Sequence, residues 1–331
     1  MIVSRAPLRI SFLGGGTDYP DFFELNGGLC IGASINKYVF VFANGLPEIA
    51  EQKIRFTYRK VESVAHSSEL EHPVLKAAIP FTGYADALNI ATMSDIPGRS
   101  GLGSSSAFSV ATLNALYGLK GITKSSFSVA EEAVTLERKI IGESGGWQDQ
   151  YISSIGGLRS YYFSDRGVEV SDQLISKEIL DELSSSVLLI PTGSLRYSAL
   201  IASKTAEAAR TSKGQKILSE TLELTKNFVK ILEGISSSDI LLQELSSSVN
   251  TAWKLKTALA DLISNKDVQD LIDYSLSKGC LGAKLCGAGG SGFVLVLTPL
   301  GMAVDFNKAH FSGRGINISF TQQGATTQVI N

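Results

Sequence analysis

Apolar residues in the first sixty positions form short runs that glycine, asparagine and proline interrupt. Three of these runs, IVSRAPLRISFL, LCIGASINKYVFVFAN and KIRFTYR, are rich in β-branched and aromatic residues, which is typical of strands. From Pro73 the apolar spacing becomes helical, first in HPVLKAAIPFTGY and, after the strand-like ALNIATMSDIPG, in SSSAFSVATLNALYGL and SVAEEAVTLERKIIG. The pattern predicts strands at the start of the chain and helices after them.

The second half of the chain alternates in the same way. GGLRSYYFSDRGVEV predicts a hairpin, VLLIPTG a buried strand, and residues 195–263 long helices, before KGCLGAKLCGAGGSGFVLVLTP returns to strand. Serines 184–186 follow acidic residues and indicate a boundary. We therefore predict an α+β protein of two domains, 1–183 and 184–331.

The length and charge of the chain narrow the range of possible functions. The 331 residues fit two domains with a cleft between them better than one core. Thirty basic and thirty-two acidic side chains offer no polybasic surface, so we expect a small-molecule partner, with no nucleic acid and no membrane. No apolar run approaches the roughly 18 to 20 residues of a membrane span, and no leader pattern precedes the first strand, which favours a cytoplasmic protein. The cysteines lack CxxC spacing and predict free buried thiols; they are Cys30, Cys280 and Cys286.

The stretch PGRSGLGSSSA, at 97–107, predicts a phosphate site. A glycine cluster by itself commonly indicates only a turn. Here, however, a helix that is apolar nearly all round follows, and its buried N-terminus offers free N–H groups and the positive end of the helix dipole. The Lys-Ser/Thr of a Walker A loop is missing, since Ser104, Ser105 and Ser106 follow Gly103. A serine hydroxyl there is a suitable ligand for Mg²⁺ beside the phosphates.

A second glycine-rich stretch, Gly287 to Gly292, matches GxGxxG but does not predict a dinucleotide fold. It precedes the strand FVLVLTP rather than a helix, and no acidic residue follows about 20 positions on. We expect a loop that closes over a ligand, with Lys284 adding positive charge.

Two carboxylates stand in unusual contexts. Glu137 shares a helix face with apolar residues, so it is either paired with a basic neighbour or bound to a cation. Asp149, in GESGGWQDQYISSIGG, lies between glycines and a strand-like run, where it is either a turn or cap residue or a general base. The residues alone leave both alternatives open.

Three motifs together resemble the GHMP kinases, the family that includes galactokinase, homoserine kinase and mevalonate kinase. They are APLRISFLGGGTDYP, PGRSGLGSSSAF and KLCGAGGSGFVLVL, in the family's order, and they span positions 6 to 297. The resemblance implies the GHMP kinase fold, with an N-terminal ATP-binding domain on a mixed sheet and a C-terminal ferredoxin-like domain. It also implies an ATP-dependent small-molecule kinase with its active site between the domains.

The resemblance also implies roles for individual residues. Phosphates would lie against Gly101, Gly103, Ser104, Ser105 and Ser106. Ser105 and Glu137 would hold Mg²⁺, Asp149 would be the catalytic aspartate, and Gly289, with Gly287 and Gly290, would lie near the substrate and nucleotide phosphates.

The first motif points to a sugar. Galactokinases have Gly-Glu-His-Thr-Asp-Tyr where this chain has Gly14 to Tyr19, and the match assigns Asp18 to sugar hydroxyls and Arg9 to the side of the catalytic base. The missing Glu and His leave room at Gly15, Gly16 and Thr17 for a longer or anionic substrate. GGGTDYP with GGWQDQY resembles the branch that phosphorylates D-glycero-D-manno-heptose 7-phosphate.

Arg196, in PTGSLRYSALI, is either a ligand of a sugar phosphate or a surface residue at the start of a helix. The expected reaction is transfer of the ATP γ-phosphoryl group to a sugar or sugar-phosphate hydroxyl, most simply the anomeric one, by a monomer or a homodimer. The alternatives are a kinase of another sugar such as fucose or galactose, a non-catalytic sugar-sensing relative and, more distantly, a dehydrogenase.

Overall fold

The computed structural model describes residues 1–46, 53–98, 100–193, 198–235 and 237–330, apart from the side chains of 198–200. Within these residues the strands β1 to β12 are Ile2–Leu13, Gly28–Gly45, Ile54–Thr57, Val61–Val64, Leu88–Ser94, Leu158–Ser164, Gly167–Val170, Val187–Pro191, Gly282–Leu285, Phe293–Leu297, Ile316–Asn317 and Thr326–Val329. The helices α1 to α11 are Pro20–Asn26, Pro73–Thr82, Ser104–Leu119, Ser126–Val134, Gln148–Ile155, Lys177–Ser184, Ser198–Ala209, Ser212–Leu232, Ser238–Leu259, Lys266–Ser277 and Ala303–Phe311.

The first sheet has the order β12-β1-β2-β5-β3-β4, and β6 joins β2 and carries β7. The β3–β5 pair is parallel and the other pairs are antiparallel, so the predicted mixed sheet is confirmed. The long strand β2 pairs with β6 through its first half and with β5 through its second half. Strands β6 and β7 form the hairpin that the sequence predicts.

Helix α3 packs on β1 and β2 and is buried almost all round. Its apolar and small residues explain this position, because such a helix gains most when every face leaves water. As a result, the start of α3 is held firmly beside the middle of β1.

The second sheet has the order β11-β8-β10-β9 and is antiparallel throughout. Numbered along the chain, its strands lie in the order 4-1-3-2, with helices between the first and second strands and between the third and fourth, which is the ferredoxin-like arrangement. The predicted C-terminal architecture is therefore confirmed, and the strand after Gly292 is β10.

The structure corrects one element. The run that follows Asp149 is the helix α5, and the expected strand there is wrong. Tyr151 and Ile152 resemble strand residues, but they are buried in one cluster with Ala130 and Val134 of α4, against which α5 packs.

The domain boundary at 183/184 stays a prediction, and the last strand, β12, pairs with β1 of the first sheet. The three cysteines are free and buried, as predicted. No helix in the described ranges is both long and apolar enough to cross a membrane.

Candidate active site

A cavity of about 440 Å³ lies where β1, the start of α3 and helices α7 to α9 meet. It brings together most of the residues that the sequence singled out: Arg9, Gly15, Gly16, Asp18, Gly101, Gly103, Ser104, Ser105, Ser106, Glu137 and Asp149. Residues up to 140 positions apart in the chain therefore share one site. Arg196 lies outside the described residues.

The glycines before α3 are required by close contacts. Gly101 and Gly103 have φ of +78° and +74°, in the left-handed region that favours glycine. A Cβ on Gly101 would lie 2.6 Å from the Cys286 carbonyl oxygen, and one on Gly103 would lie 2.9 Å from Arg9 Cγ. The two glycine-rich loops thus meet here, and the N-terminus of α3 lines the cavity with the Arg9 side chain beside it.

The three serines at this terminus differ in environment. Ser105 is exposed at the cavity, whereas Ser106 is buried and donates from Oγ to Glu137 Oε2 at 3.1 Å. Ser106 therefore orients the carboxylate, and the Ser105 hydroxyl faces the cavity, where the resemblance places the magnesium-side hydroxyl.

Glu137 lies in a π-helical turn, Thr135–Ile140, that continues α4. Its Oε2 also accepts from Gln150 Nε2 at 2.8 Å and lies 3.5 Å from Arg138 Nη1. The other oxygen, Oε1, is buried and has no hydrogen-bond partner among the residues that the structure describes. Burial raises the pKa of this carboxyl, although Arg138 opposes the shift. A buried carboxylate oxygen without a partner is suited to a cation.

The Glu137 and Ser105 oxygens suit Mg²⁺ that is shared with substrate phosphates better than a metal ion held entirely by protein ligands. Carboxylate and hydroxyl oxygens are its preferred ligands, and it is commonly held by one or two protein groups together with substrate phosphates. No group of three or more His, Cys, Asp or Glu residues within the described ranges is placed to hold a metal without such phosphates.

Arg9 and Asp149 form a bidentate ion pair. Nε donates to Oδ1 at 2.6 Å and Nη2 to Oδ2 at 2.5 Å, while Nη1 donates to the Gly101 carbonyl at 2.7 Å. Burial alone would lower the pKa of Arg9, but the adjacent Asp149 carboxylate raises it above its ordinary value. Asp149 stands in the first turn of α5 with its side chain 23% exposed, so it is held firmly and still faces the cavity.

Asp18 is buried and held by three hydrogen bonds. Oδ1 accepts from Gly16 N at 3.0 Å, and Oδ2 accepts from the backbone and side-chain nitrogens of Gln148 at 3.1 and 3.0 Å. Burial raises the pKa of Asp18, and the bond from Gln148 N opposes this shift. Sequence reasoning missed Gln148, because its partner lies 130 residues away.

The glycine run before Asp18 brings the backbone close to two neighbours. A Cβ on Gly14 would lie 1.9 Å from the Leu29 carbonyl oxygen, and one on Gly16 would lie 2.8 Å from Leu218 Cδ2 of α8. Thr17 is fully buried, and its hydroxyl lies 2.8 Å from Gly14 O and 3.0 Å from Leu29 O. Its side chain supports the loop and is not part of the cavity wall.

The loop Gly287–Gly292 contributes Gly287 and Ala288 to the wall of the cavity. Gly289 instead packs on the backbone of Ile263, where a Cβ would lie 2.9 Å from Ile263 Cα. The structure therefore does not bring Gly289 to the cavity with the others.

Two lysines also line the cavity. Lys284 of β9, which the sequence indicated as a source of charge, donates to the carbonyls of Ser11 and Phe12 at 3.0 and 2.8 Å and so ties the two sheets together. Lys256 of α9, which sequence reasoning missed, donates to the Gly287 carbonyl. Burial lowers the pKa of Lys256 to about 7 and that of Lys284 to about 8.

Comparison with known families matches both halves of the chain. Residues 70–157 match the sequence profile of the GHMP kinases N terminal domain, and residues 236–304 match that of the GHMP kinases C terminal domain. The first of these segments contains the start of α3, Glu137 and Asp149, and the second contains Lys256 and the loop Gly287–Gly292.

Individual relatives align over nearly the whole chain. The D-glycero-alpha-D-manno-heptose 7-phosphate kinase of Campylobacter jejuni is 25% identical, over 98% of this chain and 97% of that protein. The bifunctional fucokinase/GDP-fucose pyrophosphorylase of Arabidopsis thaliana is 26% identical, over 88% of this chain and 29% of that protein. A solved structure, described as a D-glycero-D-manno-heptose 1-phosphate kinase from Bacteriodes thetaiotaomicron, superposes with a TM-score of 0.78 at 22% identity and covers 100% of both chains.

Proposed function

Because the chain belongs to the GHMP kinase family and is a sugar kinase, a phosphotransferase with an alcohol group as acceptor, we propose that it phosphorylates the anomeric hydroxyl of D-glycero-D-manno-heptose 7-phosphate with ATP. The observation that carries this proposal is the placement of the Arg9–Asp149 pair between Asp18 and the N-terminus of α3. The same cavity is thus lined by Asp149, which can take a proton, by Asp18, which can bind hydroxyls, and by the N-terminus of α3, which can bind phosphates.

In the proposed reaction the sugar oxygen attacks the γ-phosphorus of ATP, the new O–P bond forms, and the bond to the ADP oxygen breaks. Asp149 orients the hydroxyl and accepts its proton, and Arg9 holds Asp149 and offsets negative charge near the Gly101 loop. The N–H groups at the start of α3 bind phosphate oxygens. Positioning and electrostatic stabilisation account for most of the rate enhancement in reactions of this kind.

Asp18 is proposed to bind sugar hydroxyls. An ionised carboxylate only accepts hydrogen bonds, and hydroxyls are the donors that a sugar offers. Gln148 fixes the orientation of Asp18. The Gln148 Oε1 atom is buried beside the cavity and has no hydrogen-bond partner in the described part of the chain.

Mg²⁺ is proposed to bind at Glu137 and Ser105, with Ser106 orienting the carboxylate. Bound there, the ion would neutralise charge on the phosphates. The unpartnered Oε1 of Glu137 supports this assignment.

The choice of a heptose phosphate is supported by the width of the cavity beside Asp18. Gly15 puts no side chain where the galactokinase motif has Glu, and a Cβ there would meet nothing closer than 3.7 Å, so the site has space beside Asp18 for a sugar longer than a hexose. The similarity to the Campylobacter jejuni enzyme over almost its whole length supports the same choice.

The test is a panel of aldoses and aldose phosphates incubated with ATP and Mg²⁺, with ADP release measured and the product examined by phosphorus NMR. We expect heptose 7-phosphate to give the highest kcat/KM and a new anomeric phosphate signal. A higher kcat/KM with unphosphorylated fucose or galactose would contradict the proposed substrate and favour a kinase of another sugar. ATP binding without turnover of any sugar would favour a sensing role.

A further inference from the structure

Lys256 differs from the other cations of the cavity in what it contacts. Arg9 is engaged by Asp149, Lys284 by two strand carbonyls, and Arg138 by the carbonyls of Gly146 and Glu143. Lys256 donates one of its three N–H bonds to Gly287 O, and it has no carboxylate partner and no second acceptor within the described part of the chain. An ammonium group with two available donors at a cavity is suited to an anion.

The wall around Lys256 has room for such an anion. Besides Lys256 and Leu259, helices α7, α8 and α9 present small or hydroxyl-bearing residues to the cavity, and they are Ala202, Thr205, Thr221 and Ala252. Across the cavity lies Gly15, which has no side chain and where a Cβ would meet nothing closer than 3.7 Å, whereas Gly16 packs on Leu218 of α8. The space between these surfaces is therefore open, and the ammonium of Lys256 borders it.

Lys256 approaches the groups assigned to ATP from the other half of the fold, because its acceptor residue Gly287 packs on Gly101. The N-terminus of α3, Ser105, Glu137 and Arg9 belong to the first sheet and its helices, whereas Lys256 stands in α9 of the C-terminal half. The nucleotide phosphates already have the N-terminus of α3 and the proposed Mg²⁺ site, so the cation on α9 is available for a negative charge carried by the acceptor.

We propose that Lys256 binds a phosphate group carried by the sugar substrate, in a subsite between Gly15 and the cavity-facing residues of α7 and α9. This inference rests on the proposed sugar kinase activity and deepens it, because it identifies the side chain that selects a phosphorylated sugar over a free one. A phosphate monoester carries about −1.5 to −2 charge at pH 7, so loss of its cation should weaken binding strongly.

The test compares matched pairs of acceptors, heptose with heptose 7-phosphate and mannose with mannose 6-phosphate, in the wild-type protein and in Lys256→Met and Lys256→Arg. In Lys256→Met we expect KM for the phosphorylated sugar to rise about 10- to 100-fold, with a much smaller change for its unphosphorylated partner and for ATP. Lys256→Arg should recover most of the preference. Lys254→Met, on the exposed side of the same helix, is the matched control.

The outcomes separate this inference from the proposed activity. Wild-type protein that phosphorylates no sugar would overturn the activity. A wild-type protein that prefers free sugars, or a Lys256→Met variant that loses kcat equally on both members of a pair, would overturn the subsite while leaving the kinase intact.

A measurement on the wild-type protein tests the subsite even if the Lys256 variants fail to fold. Amine acetylation followed by mass spectrometry should show that saturating heptose 7-phosphate protects Lys256, while free heptose protects it less and the exposed Lys254 serves as the internal reference. Equal labelling of Lys256 with either sugar would contradict the subsite.

Discussion

Arg9 and Asp149 are 140 positions apart in the chain and are joined by two parallel hydrogen bonds, at 2.6 and 2.5 Å. The pair links β1 to the first turn of α5, and a third bond from Arg9 reaches the Gly101 carbonyl next to the start of α3. The fork geometry of the guanidinium leaves the carboxylate little freedom to rotate. The proposed base is therefore oriented before any ligand enters.

Asp149→Asn should abolish turnover while ATP binding stays nearly intact. The amide keeps the size of the carboxylate but cannot take a proton, and it accepts only one of the two bonds from Arg9. We expect kcat to fall about 10²- to 10⁴-fold, measured by ADP release, with nucleotide affinity from calorimetry within about threefold of wild type. Asp165→Asn, in the exposed β6–β7 turn, is the control. An Asp149→Asn protein with near wild-type kcat would refute the base assignment.

Gly146→Ala should impair sugar binding selectively. A Cβ at this position would lie 1.9 Å from Asp18 Oδ2, so the carboxylate must move from its place between Gly16 and Gln148. We expect KM for the sugar to rise roughly 10- to 100-fold, as for loss of a hydrogen bond to a charged group, with KM for ATP little changed.

Gly234→Ala is the matched control, because its Cβ would meet nothing closer than 3.8 Å. If the Gly146→Ala variant has the same sugar KM as this control, Asp18 does not bind the sugar.

The elements that the sequence predicts correctly are those that depend on residues close together in the chain. The strands, the apolar helix α3 and the glycines before it depend on neighbours within one element, and the motif order carried the family resemblance. Glu137 was noticed because it interrupts an apolar helix face, and the structure places it 1% exposed with one oxygen unpartnered.

Contacts between distant elements explain what the sequence did not reveal. Gln148 holds Asp18 only because α5 docks against the loop after β1, and Lys256 faces the cavity only because of the way α7, α8 and α9 pack. Thr17 matched the motif, but the chain bends so sharply at Gly14 that its hydroxyl turns inward to Leu29 O. A spacing pattern carries no information about such turns.

Glu137→Gln should raise the Mg²⁺ concentration needed for half-maximal activity by about tenfold or more, because a neutral amide is a weaker ligand for the ion. The readout is a Mg²⁺ titration at saturating ATP and sugar. Ser105→Ala should shift the same titration, and Ser106→Ala should shift it less, since its hydroxyl only orients Glu137. Glu131→Gln, exposed on α4, is the control. Unchanged Mg²⁺ dependence in the Glu137→Gln variant would contradict the proposed metal site.

The same substitution should leave the protein at least as stable at pH 7. Burial raises the pKa of Glu137 in the folded state. At pH values above the pKa that Glu137 has in the unfolded chain, keeping a charged carboxylate buried therefore lowers the free energy of unfolding. Glutamine has no charge and removes this loss of stability. The difference in thermal unfolding midpoint between Glu137→Gln and wild type should shrink as pH falls through the folded pKa and wild type becomes neutral. A variant that unfolds well below wild type at pH 7 would mean that the charge stabilises the fold.

The affinity for a phosphorylated sugar should fall as pH rises above about 7, where Lys256 loses its proton in the free protein. Burial is the main cause of this lowered pKa. Lys284 and Arg9 lower it further, and Cys286 and Asp18 oppose them. A phosphate monoester is mostly dianionic above its second pKa near 6. Between about pH 7 and 9 the change of affinity with pH should therefore come from deprotonation of Lys256 and not from the ligand.

We expect KM for heptose 7-phosphate to rise up to about tenfold per pH unit over this range, while KM for the unphosphorylated sugar stays nearly flat. Lys256→Arg keeps its charge at these pH values and should flatten the first profile as well. If wild type and Lys256→Arg show the same slope, the titrating group is not Lys256, and the pH dependence must come from another group of the site.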